Sequence, residues 1–286
     1  PERPFCLLCH HKAPHRPWYP DEKHAGMYLN EDIPEPETLL DDYQGRASAA
    51  AAAEMRVGVH MTPTDLKCEI PAELPEEELR RWAYQRYIKD YLRVIASVDD
   101  NVGRLLDYLR DAGLEEDTMV IYTSDQGFFL GDHGWFDKRF MYEESLRMPL
   151  IVRYPREFPR GAVNRRDIVL NIDFAPTLLE LAGVNIPPDM QGRSFFPLLR
   201  GETPADWRDA MYYHYFEYPA VHAARRHYGI RTQRYKLIHF YYDIDAWELY
   251  DLEKDPHEQH NVYADAAYSD IVVELKRRLK DLREQY

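Results

Sequence analysis

The segment Met119–Gly127, with the sequence MVIYTSDQG, decides the fold of this chain. Its apolar and β-branched beginning predicts a short buried strand over residues 118–123. The strand is followed by an acid and an amide, Asp125 and Gln126. Ligands of open α/β sheets gather where strands finish. Carboxylate and amide oxygens suit Ca²⁺ or Mg²⁺, so this strand end is a candidate metal site.

A lysine and a second predicted strand follow within a few dozen residues. Lys138 lies in residues 130–144, LGDHGWFDKRFMYEE, and residues 149–155, PLIVRYP, predict the strand. An ammonium group here could neutralise an anion held by the metal. Taken alone, a Ser-Asp-Gln-Gly turn is ordinary and a lysine is usually solvated. The order of the elements is what points to a shared site.

The regions around this segment predict an α/β fold. The run Pro75-Glu-Glu-Glu starts a long helix, and apolar residues at helical spacing continue it to Gly113. A helix that leads into a buried strand is typical of α/β crossovers. Residues 173–183 predict a second helix. Residues 3–9 predict another buried strand, whose end delivers His15 on a loop stiffened by prolines.

The sequence pattern changes after residue 203. Short runs rich in tyrosine and β-branched residues predict the strands of a small antiparallel sheet. Apolar residues at helical spacing over residues 272–282 predict an amphipathic terminal helix. We therefore predict one domain over residues 1–203 and a second, α+β domain over residues 204–286.

Several motifs, taken together and in order, resemble the sulfatases of the alkaline phosphatase superfamily. Residues 122–155 match a segment of the type T-S-D-(H/N/Q)-G, L-G-(E/D)-H-G, K-R, Y-E-E and P-L-I-(V/I)-R-x-P. Further matching segments are residues 5–18 (FCLLCHHKAPHRPW), 173–183 (DFAPTLLELAG), 190–194 (MQGRS) and 247–258 (WELYDLEKDPHE). The resemblance covers most of the chain. It implies the C-terminal part of an alkaline-phosphatase-like α/β sandwich, followed by a small subdomain of antiparallel sheet and helix.

Two parts of the family pattern are missing. Family members make a formylglycine nucleophile from a C/S-x-P/A-x-R motif, and none of Cys6, Cys9 and Cys68 fits that motif. The paired aspartates that complete the family's metal site are also absent. The resemblance therefore implies that an N-terminal part of the same enzyme supplies both, and that this chain alone is inactive.

The resemblance also implies roles for individual residues. Asp125 and Gln126 would bind Ca²⁺, with Mg²⁺ as the alternative, Lys138 would bind the sulfate, and His15 would contact the sulfate or the bridging oxygen. Weaker candidates for contact with the glycan are Lys12, Arg225 and His227. We interpret three neighbours of Lys138 as structural loop residues: Asp132, His133 and Asp137.

The implied activity is hydrolysis of sulfate esters on a glycan, with 6-O-sulfated N-acetylglucosamine as the closest candidate. Two alternatives stay open, a phosphonate monoester or phosphodiester hydrolase of the same superfamily and a non-catalytic glycan-binding remnant. The Cys6-Leu-Leu-Cys-His10 run also matches the pattern of c-type haem attachment, and its Cys-x-x-Cys spacing is one that zinc sites use. A zinc site needs a second pair of ligands, however, and the sequence has no other Cys-x-x-Cys or His-x₃₋₅-His cluster. The resemblance implies a periplasmic, secreted or lysosomal protein.

Composition limits the partners. Of the residues, 45% are hydrophobic and 13% aromatic, which is enough to fill a core. The formal net charge of −14 argues against a nucleic-acid partner, because phosphate backbones demand a basic face. No apolar run approaches the roughly 18 residues of a membrane span. An acidic protein that acts on a sulfated glycan needs local positive charge at its site.

Overall fold

The computed structural model describes residues 3–285, and the chain divides into two compact units. The first unit comprises Pro1–Leu40, Met55–Glu115 and Leu130–Phe136, and the second comprises Asp41–Glu54, Glu116–Phe129 and Asp137–Tyr286. Neither unit begins or ends at residue 203. The domain boundary predicted at that position stays a prediction.

The regular elements are seven helices and eight strands in the described residues. The helices are α1 (Ser48–Ala52), α2 (Pro63–Leu66), α3 (Glu76–Asp111), α4 (Glu143–Leu146), α5 (Phe174–Leu181), α6 (Phe196–Leu199) and α7 (Ser269–Arg283). The strands are β1 (Val120–Thr123), β2 (Phe129–Leu130), β3 (Phe136–Asp137), β4 (Leu150–Arg153), β5 (Ala210–Tyr215), β6 (His227–Thr232), β7 (Tyr235–Phe240) and β8 (Ala246–Asp251). No helix among residues 3–285 combines the length and the apolar character needed to cross a bilayer.

The first unit is built on α3, which confirms the long predicted helix. Pro75 precedes its first residue, and three glutamates occupy its first turn, where the helix dipole favours negative charge. Tyr84, Tyr87 and Ile88 face inward at helical spacing and are buried. The helix ends at Asp111, and Gly113 then takes a left-handed conformation (φ 68°), as in many helix C-caps.

The strand predicted over residues 3–9 is wrong, because the structure has no strand there. Phe5, Leu7 and Leu8 are exposed, with relative accessibilities of 51%, 68% and 70%. An apolar run becomes a strand when a neighbouring strand accepts its hydrogen bonds. No strand among the described residues pairs with this segment. Its apolar composition alone was therefore a misleading signal.

The second unit contains β1, which confirms the position of the strand in the deciding segment. β1 pairs with β4 in an antiparallel two-stranded sheet, with Ile121 opposite Val152. The strand is less buried than its composition predicts, since Tyr122 is 38% exposed and Ile151 on β4 is 63% exposed. The predicted position of the strand is therefore correct, but its predicted burial is wrong.

The C-terminal part of the second unit is an antiparallel sheet with strands in the order β5-β6-β7-β8. Consecutive strands are neighbours, as expected for short connections. Helix α7 packs on one face of the sheet through Leu275 and Leu279, which join Ile230, Leu237 and Leu249 in one hydrophobic cluster. The predicted small sheet and the predicted terminal helix are both present.

A cluster of buried charges joins this sheet to the short helix α4. The Lys236 ammonium on β7 is fully buried and lies 2.9 Å from a carboxylate oxygen of Glu143 and 2.6 Å from one of Glu258. Arg231 on β6 makes two further contacts to Glu143, at 3.2 and 3.0 Å. Glu258 also accepts the backbone N–H of Glu143, the first residue of α4, at 2.7 Å. A one-turn helix is unstable by itself, so these contacts stabilise it.

Replacing Lys236 by methionine should destabilise the protein. The variant leaves Glu143 and Glu258 buried without their shared ammonium, and the loss of one partner of a buried ion pair typically costs about 3–5 kcal/mol. Chemical denaturation measures the free energy of unfolding. Lys280→Met, on a side chain 75% exposed, is the matched control. Equal losses in the two variants would contradict the role given to Lys236.

Candidate active site

The loop after β1 carries the two predicted metal ligands. Asp125 is exposed, and one of its carboxylate oxygens accepts a hydrogen bond from the Ser124 hydroxyl at 3.3 Å. Gly127 follows Gln126, and its N–H donates to the Ser145 carbonyl at 2.8 Å. A Cβ at Gly127 would lie 2.1 Å from the Glu144 carbonyl oxygen. Glycine is therefore required for the loop to lie this close to α4.

Lys138 lies in a loop that is anchored to the same residue of α4. The backbone N–H of Arg139 donates to the Ser145 hydroxyl at 3.1 Å. The Lys138 ammonium lies 5.9 Å from the ring centroid of Phe128, in the loop that carries the metal-ligand pair. The structure therefore brings the segment of Asp125 and Gln126 and the segment of Lys138 together at α4.

Asp137, interpreted from sequence as a structural loop residue, is the centre of a buried polar cluster. Its carboxylate accepts the Lys138 N–H at 2.9 Å and pairs with the Arg139 guanidinium. His222 Nε2 lies 3.3 Å from the other carboxylate oxygen. Burial opposes ionisation of Asp137, but the hydrogen bond from His222 and the cations of Arg139 and Lys138 outweigh it and lower its pKa well below the usual range.

His222 was missed by sequence reasoning. Its side chain is 7% exposed, and Nδ1 lies 2.8 Å from the Glu54 carbonyl oxygen. A carbonyl oxygen and an ionised carboxylate both only accept, so each of these contacts requires its ring nitrogen to donate, Nδ1 to Glu54 and Nε2 to Asp137. Glu54 and Asp137 lie far from His222 in sequence, at separations of 168 and 85 residues, which no local motif reveals.

His15 belongs to the first unit, where its loop is anchored on both sides. Arg16 makes a two-point ion pair with the buried Asp65, and the Trp18 indole N–H donates to the Pro14 carbonyl at 2.7 Å. Trp18 is fully buried and packs on Tyr87 of α3, with ring centroids 4.6 Å apart. These anchors hold an exposed histidine on a rigid loop.

The hydrogen bonds of His15 define which ring nitrogen is available. Nδ1 lies 2.7 Å from the Arg16 carbonyl oxygen and 3.1 Å from the Lys12 ammonium. One nitrogen cannot donate to the carbonyl and accept from the ammonium at once. We assign the proton to Nδ1 on the basis of the shorter contact. Nε2 is then the nitrogen that can face a substrate, and the role of His15 stays a prediction.

The environments of the other predicted glycan contacts differ. Lys12 is exposed, and Arg225 pairs with Asp243 at 3.1 Å. His227 has no exposed surface, and its Nδ1 lies 2.7 Å from the Arg225 carbonyl oxygen. Its ring packs among aromatic rings: Phe140, Tyr213, Tyr215 and Phe240. These contacts give His227 a packing role, and its contact with substrate stays a prediction.

The metal site is incomplete among residues 3–285, where no group of three His, Cys, Asp or Glu side chains converges. Asp125 and Gln126 offer hard oxygens of the kind that Ca²⁺ binds, in an exposed loop held rigid at Gly127. Ca²⁺ takes about six to eight oxygen ligands. The two residues therefore fit part of a calcium site. Cys6 and Cys9 are free thiols at the surface.

Comparison with known proteins identifies the class. The family model described as "Sulfatase" matches residues 1–184, and the model described as "N-sulphoglucosamine sulphohydrolase, C-terminal" matches residues 131–285. The chain belongs to the sulfatase family. This confirms the resemblance seen in the sequence motifs.

Two of the matches have names that specify a substrate. The chain is 46% identical to an N-acetylglucosamine-6-O-sulfatase of Bacteroides thetaiotaomicron, over 99% of this chain and 58% of that protein. It is 45% identical to the solved structure of BT4656 in complex with its substrate D-glucosamine-2-N,6-O-disulfate, with a TM-score of 0.93 over 100% of this chain and 66% of that one. This match confirms the α/β fold class. The chain spans between half and two thirds of the length of these relatives.

Another match has a different activity in its name. The phosphonate monoester hydrolase of Silicibacter pomeroyi is 26% identical, with a TM-score of 0.77 over 95% of this chain and 54% of that one. Its structure matches nearly the whole of this chain, but its sequence identity to this chain is much lower than the 46% and 45% of the two matches above.

Gly127→Ala should destabilise the second unit and displace Asp125 and Gln126. The new Cβ would meet backbone atoms of α4, which cannot move aside as a flexible side chain can. Thermal unfolding should show a loss of about 1–3 kcal/mol. Gly103→Ala is the matched control, since Gly103 lies within α3 with nothing within 4 Å of its Cβ position. That control should be neutral or stabilising. A similar loss in both variants would contradict the steric argument.

His227 predicts a pH dependence of stability. Burial lowers its pKa to about 4, from an ordinary value of about 6.5. A histidine with a lowered pKa in the folded state stabilises the fold above its ordinary pKa, and this contribution is lost as the pH falls from about 6.5 towards about 4. Between pH 7 and pH 4 the parent should therefore lose more unfolding free energy than His227→Phe, by on the order of 3 kcal/mol. Parallel pH profiles of the two proteins would contradict this.

Proposed function

We propose that the protein containing this chain hydrolyses sulfate esters on a glycan, with 6-O-sulfated glucosamine units as its substrates. The observation that carries the proposal is the similarity, over the whole chain, to a protein solved with D-glucosamine-2-N,6-O-disulfate as its substrate. The positions of Asp125, Gln126 and Lys138 around α4 support it, because they place oxygen donors and a cation in neighbouring loops.

The proposed cofactor is Ca²⁺, with Mg²⁺ as the alternative. When bound, such an ion polarises the sulfate and offsets its negative charge. In this chain Asp125 would offer carboxylate oxygens and Gln126 its side-chain carbonyl oxygen. We propose that the remaining ligands and a formylglycine nucleophile come from an N-terminal part of the same enzyme.

Lys138 would bind a sulfate oxygen. An ammonium group is a compact charge that strengthens its attraction as negative charge grows on the sulfate. His15 would act at the bridging oxygen, where its imidazolium form, with a proton on Nε2 as well as on Nδ1, would donate the Nε2 proton to the departing sugar oxygen and become neutral. Lys12 and Arg225 would each supply local positive charge for an anionic glycan, and His227 would hold the Arg225 backbone through the contact of Nδ1 with its carbonyl oxygen.

The second candidate function is hydrolysis of phosphonate monoesters, favoured by the similarity to the Silicibacter enzyme. Phosphonate and sulfate esters share a tetrahedral centre and charged oxygens, so the same metal and lysine would serve both. The greater identity to the sulfatases favours sulfate esters.

The family resemblance also supports a periplasmic, secreted or lysosomal location.

The full-length enzyme should release sulfate from 6-O-sulfated N-acetylglucosamine and from D-glucosamine-2-N,6-O-disulfate. Lys138→Ala should lower kcat by about 10²–10³-fold with little change in the temperature of unfolding, because the lysine acts on developing charge. Release of sulfate measured by ion chromatography gives the rate, and Lys280→Ala on α7 is the control.

Two outcomes would contradict the proposal. Faster hydrolysis of a phenyl phosphonate monoester than of every sulfated sugar in a positional panel would favour the second candidate. An unchanged rate in Lys138→Ala would remove that lysine from the site.

A further inference from the structure

Ser145 makes two contacts of different kind with the two segments of the candidate site. Its backbone carbonyl accepts the Gly127 N–H at 2.8 Å, next to Gln126. Its side-chain hydroxyl accepts the Arg139 N–H at 3.1 Å, next to Lys138. The residue is 5% exposed. One buried serine therefore anchors the metal-ligand segment through its main chain and the lysine segment through its side chain.

The lysine segment needs such an anchor because its backbone is strained. Asp137 and Arg139, on either side of Lys138, have φ values of 77° and 100°. Non-glycine residues in this region cost of order 1–3 kcal/mol each and persist when surrounding contacts hold them. The Asp137 carboxylate accepts the Lys138 N–H, the Tyr213 hydroxyl donates to the Arg139 carbonyl at 2.8 Å, and the Ser145 hydroxyl accepts the Arg139 N–H.

Helix α4, which carries Ser145, is held by contacts that do not involve the two site segments. Helix α4 has four residues, and its first residue, Glu143, is tied to Lys236, Arg231 and Glu258 of the C-terminal part of the unit. Loss of the Ser145 hydroxyl leaves all of these contacts in place. It also leaves the carbonyl contact to Gly127 in place. The side chain can therefore be removed without removing the helix.

We propose that Ser145 is a positioning residue that holds the Lys138 ammonium in register with the metal-ligand pair. This inference rests on the proposed function. The hydroxyl fixes the strained backbone on the C-terminal side of Lys138, and without it the segment relaxes and the ammonium moves. Since a displacement of about 1 Å at a catalytic group can cost on the order of 10²-fold in rate, a single hydrogen bond is sufficient to matter.

Metal affinity and sulfate binding should respond differently to the loss of the Ser145 hydroxyl, whereas a general loss of structure would lower both. Ser145→Ala removes the hydroxyl contact to Arg139 and keeps the carbonyl contact to Gly127. Affinity for the metal should therefore be unchanged, while sulfate binding and turnover fall. Ser145→Thr keeps a hydroxyl and should restore both.

The experiment uses the full-length enzyme and the variants Ser145→Ala, Ser145→Thr and Ser194→Ala. Ser194 is the matched control, since its hydroxyl also accepts a backbone N–H, that of Phe196 at 3.2 Å. Ser145→Ala should lower kcat/KM by about 10–100-fold and weaken product inhibition by inorganic sulfate. Calorimetry should give the same Ca²⁺ affinity as in the parent, and the Arg139 amide should exchange faster with solvent.

Several results would overturn the inference. These are a Ser145→Ala enzyme with parental kcat/KM, a Ca²⁺ affinity that falls in step with turnover, or a Ser145→Thr enzyme of parental thermal stability that remains as impaired as Ser145→Ala. Unchanged exchange at the Arg139 amide would also overturn it. A parent that cleaves no sulfate ester would instead refute the proposed function, and the amide exchange would still report whether the anchor exists.

Discussion

The arrangement of the candidate site depends on buried charges around a four-residue helix. Helix α4 is too short to persist by its own hydrogen bonds, and Lys236, Arg231 and Glu258 stabilise its first residue, Glu143. Because the Lys236 ammonium is fully buried, its charge depends on the two carboxylates instead of on water for stabilisation. The terminal sheet thus has a role beyond its own packing, since it supports the helix on which the site loops rest.

The site loops illustrate how close approach and strain are combined. Gly127 allows one loop to reach α4, because any side chain there would overlap the backbone of the helix. On the other side, Asp137 and Arg139 take left-handed backbone conformations, and polar contacts to their neighbours hold them. A predicted metal-ligand pair and a predicted sulfate lysine are consequently presented from rigid segments, which is what a site with fixed geometry requires.

The sequence predicted correctly those helices and strands whose formation depends on residues close together in the chain. The first turn and apolar stripe of α3, strand β1 and helix α7 were all visible, and the ordered motifs indicated the family. Burial was harder to predict. Residues 3–9 have the composition of a strand but no neighbouring strand in the described chain, while His227 is enclosed by rings from several elements. The contacts of Ser145 run to backbone N–H groups, and the partners of His222 lie far from it in sequence, so no motif could identify either set.

The divided attachment at Ser145 has an evolutionary consequence. A main-chain carbonyl is the same whichever amino acid occupies the position, so substitution of Ser145 does not directly change the contact that supports the metal-ligand segment. The hydroxyl is present or absent according to a single codon. Under the proposed roles, substitution at position 145 therefore alters the support of the Lys138 segment and leaves that of the Asp125–Gln126 segment unchanged, so selection could change the preference among esters without changing the proposed metal ligands.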